Sequence, residues 1–186
     1  MGRPRIPLHE SLFCAIQKVY SQLSSRRAHG LFQNATEKGQ ISHAPNFNQP
    51  SILFRNPDIT PILHELVTLS ALPVAGIEVD FAVDSTGFRT TQFSAYNGVK
   101  HGQKKEHHWV KAHLCAGVKT NIVAAVAITD ENGGDSPQFG PLVKKTAQGF
   151  KINEVSADLA YSSRNNLQLV ANEGGKAYIP FKKNAT

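Results

Sequence analysis

Covalent cross-linking is what this sequence has least of. Two cysteines, Cys14 and Cys115, stand among 186 residues, too few for a disulfide framework or a four-cysteine zinc site, and the scarcity points to a reducing, intracellular setting. Long apolar runs are missing as well. No stretch approaches the roughly 18 apolar residues that a spanning helix needs, and Met1-Gly2-Arg3-Pro4-Arg5 is not followed by a signal-peptide core. The expectation is a soluble, unprocessed protein that does not enter a membrane. Acid is scarcer than base: 14 Asp plus Glu oppose 20 Lys plus Arg, a formal net charge of +6. That balance favours polyanionic partners, nucleic acid first and a membrane surface second. The apolar share of 40% excludes a disordered tail, and the length fits one domain or one domain with a small appendage.

The first 73 residues read as a small helical region. Leu8, Leu12, Ala15, Ile16, Val19, Tyr20 and Leu23 recur at helical spacing, so a packed amphipathic helix is expected to end near Ser24-Ser25. Arg26-Arg27 follows, and the polar stretch from Gln33 to Pro50, with Gly39 and Pro45 inside it, reads as a loop-rich connector. Thr60-Pro61 signals the start of another helix, which carries Ile62, Leu63, Leu66, Val67 and Leu69 and is closed by Pro73.

From residue 74 to 186 the pattern changes to mixed α/β. Ile77 to Val83, Trp109 to Val118 and Ile122 to Thr129 read as three successive strands, expected to pair antiparallel. A helix opening at Asp135-Ser136-Pro137-Gln138 and ending at Gly149 comes next, then a strand from Ile152 to Ala157, a helix from Ser163 to Glu173, and a short strand from Ala177 to Phe181. The order is βββαβαβ.

Two aspartates lie where strands end or open among small residues: Asp84 in Phe81-Ala82-Val83-Asp84-Ser85-Thr86-Gly87, and Asp158 in Val155-Ser156-Ala157-Asp158-Leu159-Ala160-Tyr161. Alternation puts Asp80, Ala82, Asp84 and Thr86 on one strand face. An aspartate at a strand end, taken singly, is most often a turn or cap residue rather than a site. Carboxylates from two separate strands, however, can converge on one divalent cation, since hard cations such as Mg2+ prefer oxygen ligands.

These runs, with Trp109-Val110-Lys111-Ala112-His113-Leu114 and Thr129 through Asp135-Ser136-Pro137 between them, resemble the DDE-type transposases of bacterial and archaeal insertion sequences. The likeness extends from about Gly76 to Lys183, and the helical part with Arg26-Arg27 is also similar to those enzymes. It implies an RNase H-like mixed sheet and Asp84 and Asp158 as catalytic, metal-binding acids. It also implies a pair of Mg2+ or Mn2+ ions, roughly 3.5–4 Å apart, that activate water or a DNA 3′-hydroxyl for attack at phosphorus. The expected partners are DNA, at element ends and target, and a second copy or a full-length relative; the expected location is a prokaryotic cytoplasm, at the nucleoid. The family's third acid is a glutamate on a helix beyond the fifth strand. Glu173 lies before that strand and does not match, so the chain reads as a fragment that ends before the third acid, incomplete at its C-terminus, binding metal weakly and lacking strand transfer. The alternatives are an inactive DNA-binding remnant and, less favoured, a two-acid RNase H-like nuclease.

The segment from Lys100 to His108 is strongly basic. Lys100, Lys104 and Lys105 read either as a solvated turn or as sequence-independent phosphate contacts, and Arg26 and Arg27 as DNA-binding residues. Lys111 and His113 are expected next to Asp84, touching DNA or propping the carboxylate. A zinc site from His107, His113 and Cys115 is disfavoured, because residues six apart on a strand are about 20 Å apart. Asp135, with Gln138 three residues on, reads as a capping box rather than a catalytic acid, with Ser136-Pro137 as an alternative cap.

Overall fold

The computed structural model describes residues 6–89 and 109–181, so Lys100, Lys104 and Lys105 lie outside the described residues. Met1–Ile62 and Leu63–Thr186 form two compact units, whereas the change in sequence character falls at Pro73.

In the first unit, helix α1 (Leu8–Tyr20) stops three residues earlier than its periodicity suggests. Gln22 takes a left-handed φ of 54°, which a helix cannot accommodate. The buried positions of α1 are Glu10, Leu12, Cys14 and Ala15, while Leu8, Ile16, Val19 and Tyr20 of the expected packing stripe are exposed. Small residues define the contact: Cys14 clusters with Ala28, Phe32, Ala35 and Ile41. The connector expected after Gln33 is corrected too. Helix α2 (Ser25–Glu37) runs into it, and α3 (Gln49–Leu53) closes it. Ala28, Phe32 and Ala35 give α2 a narrow buried stripe, and the fully buried Phe32 contributes about 1.5–3 kcal/mol. Glu10 is buried and accepts hydrogen bonds from the Ser42 amide (3.1 Å) and hydroxyl (2.8 Å). The Ser42 hydroxyl holds its carboxyl below the ordinary carboxylate range.

Helix α4 (Ile59–Ala71) leads into the second unit, where β1 (Asp80–Arg89), β2 (Trp109–Gly117), β3 (Val123–Asp130), α5 (Asp135–Ala147), β4 (Glu154–Ala157), α6 (Arg164–Asn172) and β5 (Lys176–Tyr178) follow. The βββαβαβ order is as expected. Among the described residues the strands form one sheet in the order β3-β2-β1-β4-β5. The β1, β2 and β3 strands pair antiparallel, and β4 and β5 join parallel to β1, which is the RNase H-like arrangement. No helix among the described residues is long and apolar enough to cross a membrane.

Alternation puts Phe81 and Val83 of β1, Cys115 of β2, Ala125 of β3 and Val155 of β4 on one face, and they share a core with Phe139, Leu142 and Val143 of α5 and Val170 of α6. Phe150 meets Phe81 edge to face, 5.4 Å between centroids. Just before β1, the buried Glu78 carboxylate accepts from the Lys119 amide (3.1 Å), the Thr120 amide (2.8 Å) and the Thr120 hydroxyl (2.8 Å). It thereby fastens the β2–β3 turn. Burial alone would raise the Glu78 carboxyl, but the Thr120 and Lys119 donors bring it below the ordinary value. Gly117 is required there, since a Cβ would overlap the Glu78 side chain.

Candidate active site

Parallel pairing of β1 with β4 brings the two aspartates together. Val83 pairs with Ala157, and Asp84 and Asp158 are the residues that follow them, Asp84 within β1 and Asp158 one residue past the end of β4 in extended conformation. Neighbouring strands lie about 4.8 Å apart, and alternation puts both aspartates on the face opposite Val83 and Val155. Both side chains are exposed. Asp84 Oδ1 accepts from the Ser85 amide at 2.7 Å, and Asp158 Oδ1 accepts from the Ala160 amide at 2.9 Å, so backbone donors fix one oxygen of each carboxylate. Asp158 also caps the 3-10 turn Leu159–Tyr161. One expectation is corrected: Asp84 lies mid-strand, because pairing of β1 with β2 continues to Arg89 opposite Trp109.

Lys111 and His113 are brought elsewhere. The antiparallel register sets Ser85, not Asp84, opposite His113, and Gly87 opposite Lys111, so both side chains belong to the core face. Lys111 Nζ donates to Asp135 Oδ1 at 2.8 Å and to the Gly133 carbonyl at 3.1 Å. His113 is fully buried; its Nε2 lies 2.9 Å from Thr129 Oγ1, and its Nδ1 lies 3.5 Å from Asp135 Oδ1. Its burial withdraws the DNA contact expected of it, and the placement of both residues beside Asp84 is corrected. The capping box is corrected as well. Gly134 occupies the N-cap of α5 without a side-chain cap bond, and Asp135 is drawn to Lys111 instead. The Lys111 bond, working against burial and with help from the Ser85 hydroxyl, holds the Asp135 carboxyl below its ordinary range.

Three further residues complete this inner cluster without having been singled out in the sequence. Thr129 bridges to His113. Ser85, the residue after Asp84, faces Asp135 and Tyr161. Tyr161 is buried against Phe139, 5.8 Å between centroids, and its hydroxyl makes no completed hydrogen bond. Burial pushes that hydroxyl up to about 12, with Asp135, Asp84 and Asp158 all adding to the rise. The available signal was alternation itself: Lys111 and His113 share a face with the core residue Cys115.

Arg26 and Arg27 are exposed in the first turn of α2, with Arg26 over the Phe47 ring at 5.1 Å. Two adjacent carboxylates with all-oxygen donors suit a hard divalent cation that keeps several waters. Among the described residues no group of three or more His, Cys, Asp or Glu side chains could hold a metal ion, so the pair stands without a third protein ligand there.

Residues 76–186 match the family model described as the transposase DDE domain, which is more than half of the chain. Among solved structures, the chain is similar to the piggyBac transposase in a cryo-EM synaptic complex with hairpin DNA, at 12% identity and a TM-score of 0.41. All of this chain is covered, against 45% of that one, so the chain spans less than half of that protein's length.

Proposed function

We propose, from the premise that the chain belongs to the transposase DDE domain family, that Asp84 and Asp158 form the metal-binding acid pair of a DNA-cleaving and strand-joining enzyme. The observation that carries this reading is the β1–β4 register, which makes the two aspartates neighbours on one sheet face. Asp84 and Asp158 would hold Mg2+ or Mn2+. When bound, such ions supply Lewis-acid activation of water or a DNA 3′-hydroxyl and neutralise charge at the phosphate. The protein's own part is positional. Ser85 and Ala160 amides set the carboxylate rotamers, and the 3-10 turn after Asp158 keeps that carboxylate at the strand end.

DNA approaches as a polyanion. Arg26 and Arg27, and from the sequence Lys100, Lys104 and Lys105, are its proposed phosphate contacts, whereas Lys111 is engaged with Asp135. A second reading, a DNA-binding remnant without cutting, is favoured by the lack of a third acid beside the pair among the described residues. Nicking of supercoiled plasmid in Mn2+ tests the two. Conversion to open circles that Asp84→Ala and Asp158→Ala each abolish supports the enzyme; DNA retarded in a gel but never nicked supports the remnant.

A further inference from the structure

The start of α5 is joined to β2 and, through α6, to the turn that follows β4. From β2, Lys111 reaches the Gly133 carbonyl and Asp135. From α6, the buried Asn166 donates to Ser136 Oγ at 3.1 Å and to the Tyr161 carbonyl at 2.8 Å. Residues 133–136 are therefore fastened on one side to the central antiparallel strands and on the other to the turn that Asp158 caps. Ser85 completes the circuit: its amide holds Asp84 Oδ1, and its hydroxyl lies between Asp135 and Tyr161. In the same cluster the buried His113 Nδ1 lies 3.5 Å from Asp135 Oδ1, and neither it nor Tyr161 Oη completes a hydrogen bond.

We infer that Asp135, gripped by Lys111, is a positioning residue for the metal-binding pair, holding Ser85 and the Asp158–Tyr161 turn from the core face so that Asp84 and Asp158 stay in register. This rests on the reading of Asp84 and Asp158 as metal ligands. Asp135 itself is no ligand, being committed to Lys111 on the opposite face of the sheet. Its role is that of the outer partners that orient metal-binding carboxylates, whose loss weakens metal affinity roughly 10- to 100-fold.

The test is Mn2+ binding by the whole chain, read from the electron paramagnetic resonance signal of the free ion, with circular dichroism melts confirming that each variant is folded at the assay temperature. Asp84→Ala should remove the site. Asp135→Asn and Lys111→Met should each weaken it by roughly tenfold, Lys111→Arg should restore it to within about twofold because arginine keeps the carboxylate pairing, and the double variant should be no weaker than either single one because both break the same link. Full Mn2+ affinity in folded Asp135→Asn and Lys111→Met, with the site still lost in Asp84→Ala, overturns this inference and leaves the metal-pair reading standing. Mn2+ binding that ignores Asp84→Ala overturns both. Should Asp135→Asn melt below the assay temperature, the folded Lys111→Met protein decides alone, and unchanged affinity there is again the overturning result.

Discussion

His113 shows how one buried side chain ties stability to pH. Burial holds its imidazole below the ordinary 6.5; the nearby Asp135 opposes that shift, and Lys111 adds to it. Between the folded and unfolded values the unfolded chain binds the extra proton, so stability is complete above pH 6.5 and is lost as pH falls below it. Asp135 acts in a lower window. Its carboxyl is held under the ordinary 3.8, first by the Lys111 bond, so its contribution is present above that pH and lost as pH drops further. The expected melting temperature is therefore level at neutral pH, declines once pH passes below 6.5, and declines again in the carboxylate range. In His113→Gln the upper decline should vanish while the lower one persists. An unaltered upper decline in that variant would show that another group carries it. Burial acts on the thiols in the same sense as on Tyr161: Cys14 and Cys115 are each pushed up to about 11, which leaves little thiolate for chemistry at neutral pH.

Among the elements, α2 places charge where a helix least wants it. Its first turn carries Arg26 and Arg27 and no acid, next to the positive end of the helix dipole, where cations are disfavoured. Arg27→Glu should raise the stability of the helical unit by about 0.3–1 kcal/mol in thermal or urea melts and weaken DNA retention in the same preparation. Equal DNA affinity in the stabilised variant would remove Arg27 from the interface. The same helix also marks where sequence reading stops. The strands and the two sheet-covering helices were legible because alternation, β-branched runs and glycine stops all agree, and parallel βαβ pairing then places Asp84 beside Asp158. Helix α2 was not legible, since Ala28, Phe32 and Ala35 form a stripe too thin to stand out from its polar residues. Nor was the destination of Lys111. Strand periodicity puts it on a face, but only the pairing of Ser85 with His113 decides which face of β1 that is. Asp135 was misassigned for a related reason: a capping box is a local pattern, while the competing partner lies 24 residues away.

Taken as a whole, the molecule has a net charge of +6, and the question is whether DNA responds to that total or to particular cations. Diffuse attraction depends on net charge alone, whereas a phosphate contact releases a counterion, so each one steepens the fall of log Kobs against log salt by about 0.9. Replacing Lys100, Lys104 and Lys105 together by alanine lowers the net charge from +6 to +3. Replacing the exposed Lys144, Lys151 and Lys176 lowers it equally. If the basic segment tracks the DNA backbone, the first variant should lose about 2.7 from the slope in a salt series of fluorescence-anisotropy titrations, and the second should lose little. Equal losses would return the segment to the role of a solvated turn and leave net charge as the source of affinity. Arg26 and Arg27 should then account for the slope that remains in the first variant, because Lys111 is already neutralised by Asp135 at 2.8 Å and has no counterion to release.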